Sequence, residues 1–446
     1  MSDTAVSSRK AVGGLTLVLL LMGSLALVLL ASPQEASGAS ARALGTPPDV
    51  EQAVLSTSVL THRVFLPLIA RESGPRSFRV GFCSTSLDIL RYPAIRGLAA
   101  GWYVNFSVDP DPPRPGGIEH VQTVRLHQVT ECWPERIRDR EACPYVVPHT
   151  YTLTSPPTRE ELRASVAANP GALWLIGNEM DRYDWGVRDR HNPGQYLVAP
   201  GGQDEMLPQL YAHAYHELYH LIKEVDETAL VAIGGVIQAT PARLWYLTTV
   251  WDTYRAHYGH DMPVDVWNVH NFILQETCTG HGADIPPGCP PSVCRPKENG
   301  DPCYGTLYGD HRHNSLEIFD QQIRAFRRWM RDRGQQNKPL IVSEYGILYH
   351  HLGMEDPHLV RTFMEDTFDY FMHTRDCNLG YPADDCRLVQ RWAWWSLDDR
   401  DFNQYGRLFD PHSRAMTPLG QAFAAYTWRH LDPRGSGVPD YWPSRR

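Results

Sequence analysis

The sequence predicts an α/β fold: an eight-stranded parallel (β/α)8 (TIM) barrel with long, disulfide-bridged loops at its C-terminal face. Three observations predict it. Short apolar, β-branched or aromatic runs recur eight times, and several are apolar on both faces, as strands buried on two sides are. Segments with a helical period lie between most of these runs. Residues 77–431 have a suitable length for one such barrel with extended loops. A doubly wound sheet is the competing architecture, and the chain carries no G-x-G-x-x-G to support it.

The elements follow in order. Arg9 and Lys10 precede an apolar run from Ala11 to Ala31, and Ala39-Ser40-Ala41 offers a signal-peptidase site. Residues 1–41 therefore read as an export signal or a retained membrane anchor, since the run is long for the first and just long enough for the second. Either reading puts the folded part outside the cytoplasm, secreted or anchored to the membrane. Residues 42–76 read as a linker, with "VFLPLIA" (64–70) as an apolar patch of no evident purpose. The strand-like runs are "FRVGFC" (78–83), "GWYVNFSV" (101–108), "TVRLHQV" (123–129), "ALWLIGNE" (172–179), "ALVAIGGV" (229–236), "VDVWNVHNF" (264–272), "PLIVSEYG" (339–346) and "RLVQRWAWWSL" (387–397). Helices are expected over 158–169, 207–226, 315–334 (serine start, glycine stop) and 356–374. Residues 432–446 are left as a C-terminal tail.

Composition excludes some functions. With 42 Lys+Arg against 51 Asp+Glu the net charge is −9, which argues against a nucleic-acid partner. Thirteen Trp and 21 Tyr are enough for a large core and also for platforms on which the apolar face of a sugar stacks. Nine cysteines fit an exported chain, with bridges expected at 132–143, 294–303 and 377–386 and with Cys83 as a free core thiol. No pair has C-x-x-C spacing, so no zinc ribbon is expected. Residues 273–313 hold four cysteines and little periodicity, and are expected to form a bridged flap over the cleft.

One motif points elsewhere. "HELYH" (216–220) is H-E-x-x-H, the signature of zinc peptidases. The surrounding segment has an apolar stripe of period near 3.6, and His216 and His220 fall opposite it. Both should face solvent on an outer helix, without the third ligand and cleft a catalytic zinc needs, and Lys223 stands where the extended motif has glycine. A zinc metalloprotease is therefore the remote alternative, and neither a metal nor any other cofactor is expected.

In a (β/α)8 barrel the chemistry sits at the C-terminal strand ends. The fourth run ends in Asn178-Glu179, the seventh in Glu344, the sixth in His270-Asn271 and the eighth in Trp394-Trp395, while the third carries Arg125 and His127. Two carboxylates behind apolar strands are what glycosidic-bond cleavage needs, one protonated to donate and one ionised to attack. The bland reading, a structural ion pair at a strand end, suffices for one glutamate but not for two.

"GNE" at the fourth strand end, "SEYG" at the seventh and the Trp-rich eighth resemble clan A of the retaining glycoside hydrolases, the 4/7 barrels, and within it the divergent glycosyl-hydrolase catalytic-core proteins. The resemblance implies Glu179 as acid/base, Glu344 as nucleophile, Asn178 on the sugar 2-hydroxyl, His270 near the nucleophile and Trp394 or Trp395 as the subsite floor. Arg125 is the candidate support for the nucleophile. Met180 stands where many members have proline, and the second strand offers no clear arginine. The implied function is retaining hydrolysis of a β-linked poly- or oligosaccharide outside the cell by a monomer, with a catalytically inactive, glycan-binding barrel as the alternative. Trp267 is a further aromatic near a strand end.

Overall fold

The computed structural model describes residues 74–443 except 190, 193, 279–281, 297–302, 349–353 and 433–437. The expected signal or anchor (1–41), the linker before residue 74 and the "VFLPLIA" run lie outside the described residues. No helix among the described residues is long and apolar enough to cross a membrane.

All eight runs form strands: β1 Ser77–Cys83, β2 Ala100–Val104, β3 Glu119–Gln128, β4 Leu173–Asn178, β5 Leu230–Gly235, β6 Trp267–His270, β7 Leu340–Tyr345 and β8 Arg391–Trp394. They pair in parallel with their neighbours in order, and β8 returns to β1 through Val80↔Trp392 and Phe82↔Trp394. The seam between β5 and β6 is closed by one bridge, Ala232↔Val266, and by the Asp265 amide on the Val231 carbonyl (3.0 Å). The sheet is thus a barrel, as the sequence predicted.

Among the described residues six α-helices cover it: α1 Arg159–Ala168, α2 Pro208–Val225, α3 Pro241–Tyr258, α4 Leu316–Arg331, α5 Pro357–His373 and α6 Pro418–Arg429. The expected eightfold alternation fails at its start. After β1 and β2 the chain makes only short 3-10 turns (Ile89–Arg91, Ile95–Leu98, Pro115–Gly117). The prolines of "DPDPPRPGG" (109–117) remove donors and fix φ, so no α-helix forms there. After β3 an extra strand, Tyr151–Ser155, runs back antiparallel to it before α1 begins. Ser315 starts α4 as predicted, its hydroxyl accepting from the Ile318 amide.

Side chains alternate across the barrel wall. Leu173, Leu175, Val121, Val266, Ile341 and Ala393 point inward. Trp174, Ile176, Val269, Val342, Trp392 and Trp394 point outward into the layer between strands and helices. At the N-terminal end Arg391, with no exposed side-chain area, bonds Glu119 (2.9 Å) and the Phe78 carbonyl (3.1 Å) beneath the rings of Phe78, Trp102 and Trp442. Trp442 belongs to the segment expected to be a tail, yet it is buried and seals this end of the barrel.

Four disulfides form, as suits an oxidising compartment. Two are the expected Cys132–Cys143 and Cys377–Cys386, and Cys83 is free and buried. The expected 294–303 bridge is replaced by Cys278–Cys303 and Cys289–Cys294. Antiparallel pairing of Thr277 and Arg295 with Tyr304 sets Cys278 opposite Cys303, and leaves Cys294 to its neighbour five residues back.

Candidate active site

Two glutamates and a histidine meet at the C-terminal end of the barrel. β4 ends at Gly177 and Asn178, and Glu179 follows with φ +50°, so the chain turns sharply after the strand. Gly177 is needed there: a Cβ would sit 2.7 Å from the Met180 sulfur. On β7 strict alternation would turn Glu344 outward with Val342, but the register with β6 shifts between Val342 and Glu344 and re-aims it. His270 ends β6 pointing inward, two residues after Asn268.

The three side chains are buried: Glu179 is 2% exposed, Glu344 7% and His270 1%. His270 Nδ1 donates to Glu179 Oε1 at 3.0 Å and lies 3.8 Å from Glu344 Oε2. Arg182 Nη1 donates to the other oxygen of Glu179 at 3.0 Å. Among the described residues no hydrogen bond reaches the Glu344 carboxylate. One oxygen from each glutamate and a His270 nitrogen lie within 4.8 Å of one another.

This environment separates the two carboxyls. Burial raises Glu344 to about 8, the negative charge of Glu179 adding to it against His270. Burial also opposes ionisation of Glu179, but Arg182 and His270 outweigh it and hold that carboxyl near 2. His270 is raised above its ordinary value, its own burial being outweighed by Glu344 and Glu179. The sequence expectation was the reverse, a raised Glu179 and an ionised Glu344. It missed Arg182, which lies only three residues past Glu179 but reaches its carboxylate through the left-handed turn.

The other predicted residues divide. Arg125 does not bond Glu344; its guanidinium is clamped by Asp204 (both oxygens at 2.9 Å from Nε). Asp204 also accepts from the Asn178 amide (2.9 Å), and Asn178 Nδ2 donates to Gln203 (3.1 Å). Trp394 faces away from the cleft. It is fully buried against Tyr345, Phe363 and Phe368, with its indole N–H on the Gly406 carbonyl, so it has no face to offer a sugar. Trp395 takes the inward position and is partly exposed, between Phe106 (5.7 Å) and Phe402 (6.4 Å), and its buried Nε1–H has no partner among the described residues. Trp267 also belongs to the outer core, against Trp329 and Trp251.

Loops wall the site. The flap after β6 is internally bridged by its four cysteines, and Arg138 of the β3 loop bonds its Asp284 (2.6 and 2.9 Å). Buried Glu276 anchors its base on Arg243, Gln238 and Thr240. Sequence reasoning missed this anchorage, and also Asp204, which a long loop brings back to β3.

Among the described residues two groups of side chains have metal-ligand composition. In His127, Asp184 and Glu205 the carboxylates are already neutralised by Arg136 and Arg140, which disfavours a cation. The other is Glu179, His270 and Glu344, where Arg182 occupies one carboxylate. The histidines of "HELYH" join neither group. His220 is exposed as predicted, but His216 is half-buried, stacked on Tyr258 (3.7 Å, 7°) and bonded to Tyr254 (2.8 Å). α3 covers that face of α2, which the sequence could not reveal.

No family model matches the chain, and no curated protein matches it. Solved structures do. An endo-beta-1,3-glucanase of GH128 subgroup II from Sorangium cellulosum is 13% identical over 78% of this chain and 98% of that one, with TM-score 0.42. A GH5_18 protein from Streptomyces cattleya, solved with GlcNAc, is 16% identical over 81% and 82%, with TM-score 0.40. A psychrophilic family 10 endo-beta-1,4-xylanase is 11% identical over 78% and 96%, with TM-score 0.35.

Proposed function

We propose that the chain is a glycoside hydrolase acting outside the cytoplasm on a β-linked poly- or oligosaccharide, with retention, through Glu179 and Glu344. The observation that carries this is the approach of one oxygen from each of two buried carboxylates to within 4.8 Å at strand ends four and seven of the barrel. Retention goes with carboxyls about 5–5.5 Å apart, whereas inversion needs about 6.5–9.5 Å to admit water between them.

In the first step Glu344 attacks the anomeric carbon as the bond to the leaving oxygen breaks, and Glu179 delivers its proton to that oxygen. In the second, Glu179 takes a proton from water, whose oxygen attacks the anomeric carbon and releases Glu344. Glu344 suits attack because, among the described residues, nothing donates a hydrogen bond to its carboxylate, which is 7% exposed. Burial favours the protonated form of Glu344, and the Arg182 guanidinium favours ionised Glu179, but the proton must be on Glu179 when substrate is bound. His270, within reach of both carboxylates, is the group that links them. Trp395 supports the reading by offering a partly exposed aromatic face to a sugar.

The test is a panel of polysaccharides and chromogenic β-glycosides, with and without chelator, the product anomer being followed by proton NMR. Chelator-insensitive cleavage with retention is expected. Peptide cleavage lost on chelation, or glycan binding without turnover, would replace this reading by a metal enzyme or an inactive binding barrel.

A further inference from the structure

Glu179 is held from two directions. Its φ of +50° turns the chain back so that Arg182 returns over its carboxylate. Arg182 Nη1 donates to Glu179 Oε2 (3.0 Å) while Nη2 donates to the carbonyl of Gly282 (2.9 Å) in the β6 flap. Gly282 has φ +75°, and a Cβ there would lie 2.3 Å from the Gln275 carbonyl, so any side chain displaces the flap. Next to it, the Ala283 and Asp284 carbonyls are fixed by Arg243 and the Asp284 carboxylate by Arg138. With His270 on Oε1, both oxygens of Glu179 have donors, whereas Glu344 has none.

A double displacement asks Glu179 for two opposite states: protonated to expel the leaving group, ionised to activate water. A guanidinium bonded to the carboxylate favours only the second. We infer that Arg182 is a positioning residue that, anchored on Gly282 of the bridged flap, holds Glu179 in the base form needed for the hydrolytic step, so that seating of the flap sets the balance between the two steps. This rests on the retaining reading above. The other charged groups facing Glu179 are His270 from β6, Glu344 from β7, Arg125 with its partner Asp204 from β3 and the β4 loop, and Asp181 with its partner Arg243 from α3. Arg182 differs from them in joining the carboxylate to the flap.

The test has two arms, using the whole chain with Arg182→Gln, Arg182→Lys and Gly282→Ala. The first is a 13C NMR titration of carboxyl-labelled glutamates without substrate, Glu179→Gln assigning the signal. Arg182→Gln should raise the Glu179 titration by about one pH unit or more, Gly282→Ala by less, and Arg182→Lys should keep most of the wild-type value. In the second arm, removing the cation raises the acid's pKa, so the alkaline limb of kcat/KM should move to higher pH in Arg182→Gln. Aryl glycosides with good leaving groups, limited by hydrolysis of the intermediate, should lose about tenfold in kcat, and poor leaving groups much less. An unmoved Glu179 titration, or an equal loss on every substrate with no shift of the limb, overturns the inference. If the wild type cleaves no glycoside, the proposed function fails, and the titration still decides whether Arg182 controls Glu179.

Discussion

The two ends of the barrel both bury charge, and they treat it differently. At the N-terminal end Arg391 lies under three aromatic rings with a carboxylate and a carbonyl bonded to it. At the C-terminal end three ionisable groups crowd together, and one of them, Glu344, accepts no hydrogen bond from the described residues. A buried charge with its partners in place closes a structure, and removing one partner costs stability. A buried carboxylate kept short of partners costs stability as it stands, and its retention points to chemistry. The difference separates a seal from a site in one molecule.

The sharpest way to break the comparison is to exchange the two losses. Glu344→Gln should lower kcat by a factor on the order of 10^4 or more with the fold intact. Arg391→Met should cost about 3–5 kcal/mol in urea unfolding, because Glu119 and the Phe78 carbonyl lose the buried guanidinium they bond, while the folded fraction keeps its kcat. A stable Arg391→Met protein without activity would move the seal into the site.

The paired tryptophans of β8 give the next contrast. Trp394→Ala should destabilise by about 3–5 kcal/mol as a core cavity. Trp395→Ala should leave stability nearly unchanged and cost about 1–3 kcal/mol in kcat/KM. Kinetics and melting curves on both variants check this, and equal losses in both assays would erase the assigned inward and outward faces.

The smallest effect is a pH trend. Glu344 titrates higher folded than unfolded, about 8 against an ordinary 4.5. The folded state then binds more protons between those values, so stability falls as pH rises from about 4.5 through about 8. Relative to Glu344→Gln, the wild-type melting temperature should drop over that window by a few degrees. A parallel pH dependence of the two proteins would deny Glu344 its raised pKa.

The architecture was legible because the strands recur as short apolar, β-branched or aromatic runs, and a carboxylate behind the unbroken apolar runs at the fourth and seventh positions stands out. What stayed hidden depends on the third dimension. Arg182 reaches Glu179 only because a non-glycine residue adopts positive φ, and nothing in "GNEMDR" announces that. Asp204 claims Arg125 from 79 residues away. The Trp394–Trp395 choice was decidable in principle, since alternation from the inward Ala393 puts Trp395 inward, but both residues extend the same aromatic run. The helix missing after β2 was foreshadowed by the proline cluster at 110–115.

The central claim is that Glu344 attacks the sugar with Glu179 as its partner. The most direct test is to incubate the protein with an activated 2-deoxy-2-fluoro-β-glycoside of a sugar it cleaves, and to map the adduct by peptide mass spectrometry. The account predicts a glycosyl group esterified to Glu344, formed in the wild type and absent in Glu344→Gln. An adduct on another residue, or turnover that gives product of inverted configuration with no adduct, would contradict it.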